Sequence, residues 1–177
     1  MVKMTKLSDY VIKRVSEKVD TVFFVPGGGC MHLVDSLGRS GLHAVSMLHE
    51  QGAGFAAQSY SMYHGFGVCL VTSGPGATNA ITGVAAAWMD SYPLMVISGQ
   101  AKTDTLKRDM GIRSFGSQEV DIITMVESCT KYAVMVMDAQ SIKDVMDTAI
   151  REATTGRPGP VWIDIPMDVQ AQEVENV

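Results

Sequence analysis

The chain has 177 residues, 46% hydrophobic and 19% charged, with 14 basic and 19 acidic side chains and a net charge of −5. This is the make-up of a globular chain long enough to bury a core, and an acidic balance without a Lys/Arg cluster argues against a nucleic-acid surface. Cys30, Cys69 and Cys129 show no C-x-x-C spacing and read as free, mostly buried thiols of a reducing compartment. No run of about 18 apolar residues offers a membrane span, and the N-terminus lacks the apolar core of a signal peptide, so a cytoplasmic protein is expected.

Along the chain two periods alternate. Leu7, Tyr10, Val11 and Val15 recur at helical spacing and predict a helix over 5–18. A β-rich run, 21–25, stops at Pro26-Gly27-Gly28-Gly29, and a short helix over 31–37 follows. Residues 44–48 form a second apolar strand, 50–63 a helix, 68–72 a third strand, 77–89 a helix and 94–98 a fourth strand. Residues 99–118 hold Lys102, Asp104, Lys107, Arg108, Asp109 and Arg113 with little periodicity, and a loop of that length is commonly functional or mobile. A helix near 119–126, a strand near 131–136, a helix over 141–154 and a sixth strand over 161–165 complete the pattern. Ser141 with Asp144 resembles a capping box, Gly156 and Pro158 stop that helix, and the tail after Pro166 is polar and acidic. Continuous apolar strands separated by helices predict an α/β, three-layer, doubly wound sheet of about six parallel strands with helices on both faces.

In such sheets ligands bind beyond the carboxyl ends of the strands. Three features fall there: the turn at Pro26-Gly27, Glu50 after the second strand, and Gly74-Pro75-Gly76-Ala77-Thr78-Asn79 after the third. Gln118, closing the long loop, is expected to join them. A glycine turn followed about 20 residues later by an acid is also the dinucleotide-binding arrangement. A Gly-x-Gly-x-x-Gly frame started at Gly27, however, puts His32 where the third glycine belongs. His49-Glu50 does not extend to His-Glu-x-x-His, because residue 53 is alanine, and the other histidines form no ligand spacing, so no metal site is assigned to this chain. Ser73 does not lie in a Gly-x-Ser-x-Gly elbow. Taken singly, each feature also has a structural reading: Glu50 as a first-turn acid, the glycines as turns, Asn79 as a helix cap.

Taken together and in order, further segments join them: Val22-Phe23-Phe24-Val25-Pro26-Gly27-Gly28, His49-Glu50-Gln51, Thr72-Ser73-Gly74-Pro75-Gly76-Ala77-Thr78-Asn79, Ile97-Ser98-Gly99-Gln100, Gln118-Glu119-Val120-Asp121 and Gly156-Arg157-Pro158-Gly159-Pro160-Val161. These resemble the N-terminal pyrimidine-binding domain of thiamine-diphosphate-dependent enzymes, in particular the acetolactate synthase branch. The resemblance spans almost the whole chain and implies one such domain over 1–177. It implies that Glu50 hydrogen-bonds N1′ of the cofactor's aminopyrimidine. The cofactor so activated attacks a 2-oxo acid such as pyruvate, which loses carbon dioxide and is joined to a second carbonyl. Gln118 would approach the reacting carbons. Pro26 and Gly27 would form the backbone edge against the pyrimidine, and Thr72, Pro75 and Asn79 would line the same pocket.

The family holds Mg2+ and the diphosphate through a Gly-Asp-Gly segment and a later asparagine. No Gly-Asp-Gly occurs here, and the only asparagines are Asn79 and Asn176. Thiamine diphosphate with Mg2+ is therefore expected to be completed by a domain or subunit outside this chain, which alone carries half a site. Three settings remain open. The chain is a domain of a longer synthase, with Val177 where the family's first domain meets its linker; or the alpha-type subunit of a split decarboxylase such as sulfopyruvate decarboxylase; or a non-catalytic dimerising module. A homodimer or higher homo-oligomer is expected, through an apolar face around 50–63 and 77–89. Ala53, Ala56, Ala57, Ala85, Ala86 and Ala87 would allow close helix packing there, with core packing as their competing use.

Overall fold

The structure, a computed structural model, describes residues 3–176; Met1, Val2 and Val177 lie outside the described residues. In chain order the elements are β1 (Lys3–Lys6), α1 (Leu7–Ser16), β2 (Thr21–Phe24), α2 (Met31–Arg39), β3 (His43–Ser46), α3 (Glu50–His64), β4 (Gly67–Val71) and α4 (Pro75–Asp90). Then follow β5 (Leu94–Gln100), α5 (Ile122–Val126), β6 (Tyr132–Met135), α6 (Ile142–Thr154), β7 (Val161–Pro166), α7 (Met167–Gln170) and β8 (Glu173–Asn176). Short 3₁₀ turns occupy Gly28–Cys30, Thr103–Thr105, Glu127–Cys129 and Ala139–Ser141.

The main sheet runs β3-β2-β4-β5-β7-β6 with every neighbouring pair parallel. This is the three-layer α/β arrangement expected from the pattern of apolar runs. β4, β5 and β7 occupy its middle with every residue buried, which is why their apolar runs are unbroken. On one face Leu7 and Val11 of α1, Leu33 of α2 and Met146 of α6 pack with Leu70, Ile97 and Ile163. On the other, Ala53 and Ala57 of α3, Val84 of α4 and Ile122 of α5 pack with Val71, Val96 and Trp162. The chain passes outward from β2 to β3, then back across to β4. The carboxyl ends of β2 and β4 therefore flank a topological switch point, where such sheets open a crevice.

Three expectations are corrected, and the tail gains elements that no period announced. The second strand ends at Ser46, not at Leu48, and forms an edge whose residues are mostly exposed; Leu48 is fully exposed. The helix expected near 119–126 starts only at Ile122, with Asp121 Oδ1 accepting from Thr124 N–H at 3.2 Å as its cap. Ser141 makes no side-chain cap; Asp138 Oδ1 accepts from Gln140 N–H at 3.0 Å and caps the preceding 3₁₀ turn instead. The polar tail is ordered as α7 and β8, and β8 pairs antiparallel with β1, Lys6 opposite Glu173 and Thr5 opposite Val174.

Candidate active site

The crevice at the switch point is walled by backbone. Gly27 lies so close to Thr72 that a Cβ on it would stand 2.5 Å from both Cβ and Cγ2 of the threonine. Thr72 Oγ1 accepts a hydrogen bond from Gly29 N–H at 3.0 Å, locking the turn after β2 to the end of β4. On the other side of Thr72, a Cβ on Gly76 would stand 2.6 Å from Thr72 Cγ2 and 3.4 Å from Glu50 Oε1. Thr72 thus links the Gly27–Gly29 turn to the first turn of α4, with the Glu50 carboxylate alongside.

Glu50 is the first residue of α3, where the positive end of the helix favours an acid. The helix is capped by His49, whose Nδ1 accepts from Gln51 N–H at 3.1 Å. Glu50 is half-buried, and its Oε2 accepts from Asn79 Nδ2–H at 3.0 Å. Its Oε1 accepts no hydrogen bond among the described residues. The cap reading of Asn79 is corrected: it is the fifth residue of α4, and its side chain spans to α3. That span is possible because α3 and α4 touch backbone to backbone. A Cβ on Gly83 would fall 2.6 Å from the carbonyl carbon of Gly54. Of the alanines expected to serve packing or assembly, Ala53, Ala57 and Ala87 are fully buried in the core, whereas Ala56, Ala85 and Ala86 are half-buried. The carboxylate also acts on Cys69, a fully buried residue of β4. Burial pushes its thiol up to about 12, and the charge of Glu50 adds to this, so Cys69 stays a protonated, inert thiol.

The other expected site residues are placed less centrally. Pro26 is exposed just beyond β2, and Pro75 is exposed at the first position of α4, where a missing N–H costs nothing. Gln118 is exposed and adopts a left-handed conformation, φ 57°. Its backbone lies against Gly74, itself at φ 60°, where a Cβ would come within 2.4 Å of the Gln118 carbonyl oxygen. From there it lines a cavity of about 430 Å³ together with Gly28, Gly29, Ser73, Gln100 and Lys102. The cavity adjoins the switch point through Gly29 and Ser73.

The loop that carries Gln118 is organised by a residue to which the sequence pattern assigned no role. Glu119 is buried and accepts from the N–H groups of Lys107 at 2.6 Å, Phe115 at 2.8 Å and Gly116 at 3.2 Å. Its place in the segment Gln118-Glu119-Val120-Asp121 was the signal. Among the described residues no group of three or more His, Cys, Asp or Glu side chains is placed to hold a metal ion, and no helix is long and apolar enough to cross a membrane.

Comparison with known proteins bears on this geometry. A family model, thiamine pyrophosphate enzyme, N-terminal TPP binding domain, matches residues 5–127. The chain is 41% identical over 170 residues to the chloroplastic acetolactate synthase of Arabidopsis thaliana, covering 94% of this chain and 24% of that protein. It is 42% identical over 156 residues to the acetolactate synthase isozyme 2 large subunit of Escherichia coli, covering 88% and 27%. To the mitochondrial acetolactate synthase catalytic subunit of Saccharomyces cerevisiae it is 41% identical over 162 residues, covering 90% and 23%. The chain therefore spans about a quarter of the length of these relatives. With the family model matching well over half of its residues, the chain belongs to the thiamine pyrophosphate enzyme family, as an N-terminal TPP-binding domain.

Proposed function

We propose that this chain is the pyrimidine-binding part of an acetolactate synthase-like enzyme. Such an enzyme decarboxylates a 2-oxo acid such as pyruvate and joins the product to a second carbonyl. The observation that carries the reading is the state of Glu50: Oε2 is held by Asn79, while Oε1, beside Gly76, accepts no hydrogen bond among the described residues. A carboxylate with one oxygen fixed and the other open is oriented to share a proton with a ring nitrogen. The cradle suits a flat ring, because backbone at Gly27 and Gly76 stands where side chains would intrude. Thiamine diphosphate, when bound, supplies a nucleophilic carbon and an electron sink for loss of carbon dioxide.

The chain's own residues divide the remaining work. Asn79 donates to Glu50 and keeps its carboxylate from rotating. Thr72 holds the Gly27–Gly29 turn in place, with Pro26 and Pro75 stiffening the two chain entries to the wall. Gln118 lines the cavity, where its amide can hydrogen-bond the carbonyl or carboxylate of the reacting 2-oxo acid. Mg2+ and the diphosphate are assigned to a domain or subunit outside this chain. Self-association is part of the proposal and is supported by Met62, Tyr63, Trp88 and Met89, large apolar side chains exposed on α3 and α4. A cytoplasmic location is likewise proposed and accords with three cysteines that form no disulfide.

The test is Glu50→Gln in the complete enzyme. Pyruvate turnover should fall by a factor of about 10² or more, the usual worth of a positioned acid–base group. Circular dichroism should stay unchanged. Full activity in the variant would refute the assignment and leave the dimerising-module reading in its place.

A further inference from the structure

A buried polar chain joins β5 and β7 to the Gln118 loop, and the reading above gives it no task. Asp164, in the middle of β7, is fully buried. Its Oδ1 accepts from Ser98 Oγ–H at 2.6 Å, and Ser98 Oγ in turn accepts from Trp162 Nε1–H at 2.8 Å. Its Oδ2 accepts from Gln100 Nε2–H at 2.9 Å. The same Nε2 donates its second hydrogen to the Val120 carbonyl at 2.8 Å, and Gln100 Oε1 accepts from Ala101 N–H at 3.0 Å. The Ala101 contact fixes which end of the amide is which, so Nε2 must face both Asp164 and Val120. Val120 is two residues beyond Gln118, and Gln100 lines the same cavity as Gln118.

We propose that Asp164 is a positioning residue: through Gln100 it fixes the Val120 carbonyl, and thereby holds Gln118 at the wall of the cavity. The catalytic consequence rests on the proposed role of Gln118, whereas the geometry does not. An apolar residue at 164 would fill the same space without the cost of burying a carboxyl group. What it could not do is receive both donors and aim the Gln100 amide. Burial raises the Asp164 carboxyl to about 7, against which the bonds from Ser98 and Gln100 act, and Asp121 is the charged group that adds to the rise. Ser98 and Gln100, which donate to it, and Trp162, which donates to Ser98, carry no charge. The bond to Gln100 is therefore strongest once the carboxyl has ionised, since hydrogen bonds to a charged acceptor are about twice as strong as neutral ones.

The experiment is a double-mutant cycle of Asp164→Asn and Gln100→Met in this chain, read by amide hydrogen exchange at about pH 8, above the Asp164 range. Each single variant should speed exchange at Phe115, Gly116 and Glu119 by about tenfold, and the double variant should match Gln100→Met alone. Additive effects, or an acceleration spread evenly over β5 and β7, would overturn the proposal. Should Asp164→Asn not fold, the unaltered chain decides: the Asp164 carboxyl and the side-chain amides of Gln100 and Gln118 should titrate together by NMR. A Gln118 amide that does not move overturns the proposal. In the complete enzyme, wild-type turnover should rise as pH passes about 7, and Asp164→Asn should flatten that limb. An enzyme with no thiamine diphosphate-dependent turnover would refute the functional reading, while the exchange result would still decide the positioning role.

Discussion

Replacing Asp164 by Asn should make stability depend on pH in a direction set by one group. The Asp164 carboxyl is raised from 3.8 in the unfolded chain to about 7 in the folded one. The folded state therefore binds the proton more tightly. Its contribution to stability is fully present below about pH 4, is lost as pH rises toward about 7, and is flat beyond. At about 1.4 kcal/mol for each pH unit between the two values, the loss across this window is about 4 kcal/mol. The asparagine variant has no proton to lose at this position, and the groups not coupled to Asp164 cancel between the two proteins. Asn also gives up one of the two acceptor positions used by Ser98 and Gln100, a cost of about 1 kcal/mol. At about pH 4 the variant should be the less stable protein by roughly 1 kcal/mol, and at about pH 8 the more stable by roughly 3 kcal/mol. Urea unfolding followed by tryptophan fluorescence at a series of pH values measures the difference directly, with Trp162 next to the altered network as reporter. A wild-type-minus-variant difference that stays constant from about pH 4 to 8 would refute the reasoning, because Asp164 would then not hold its proton through neutrality.

Two further substitutions probe the packing that supports the site. Gly83→Ala places a methyl 2.6 Å from the Gly54 carbonyl carbon, so α3 and α4 must separate. Overpacking of this kind costs about 1–3 kcal/mol, and a thermal melt should show Tm lowered by roughly 3–10 °C; an unchanged Tm would mean that the helices do not touch there. Glu119→Gln leaves one carbonyl oxygen for three backbone donors and should loosen the loop by about 1–3 kcal/mol. Trypsin should then cut at Arg108 or Arg113 about ten to a hundred times faster, with the global melt little changed.

What could be read in advance followed from locality. β4, β5 and β7 are central strands buried on both faces, so their unbroken apolar runs announced both the elements and the parallel sheet. β3 carries a similar run but lies at the edge, and sheet order is not written in any one segment. β1 and β8 are four residues each, too short for a period to show, and they exist through pairing across nearly the full chain. Glu50 and the segment from Thr72 to Asn79 could be read because turn, acid and helix start each leave a local mark. The left-handed backbone of Gln118 could not, because it rests against Gly74, and neither residue alone signals the contact. The work of Glu119, Gln100 and Asp164 was hidden for the same reason: Glu119 and Asp164 accept from donors of other segments, Gln100 donates to two of them, and nothing local to any of the three betrays its partners.

The polar half of the site and one face of the core hang on a single helix crossing. Glu50 starts α3 and Asn79 lies in the second turn of α4, so their 3.0 Å bond exists only at the interaxial distance that Gly54 and Gly83 permit. The same two helices press Ala53, Ala57 and Val84 onto Val71 and Val96. A side chain at Gly83, 2.6 Å from the Gly54 carbonyl carbon, would therefore loosen the core and turn Asn79 away from Glu50 in one movement. The first-turn acid would then be free to rotate into solvent, where the helix terminus still favours it but nothing directs its second oxygen. Stability and the orientation of Glu50 are thus one variable in this fold. A substitution that restores packing without restoring the Asn79 bond, such as Asn79→Leu with both glycines intact, separates them. It leaves the helices together and Glu50 without its guide.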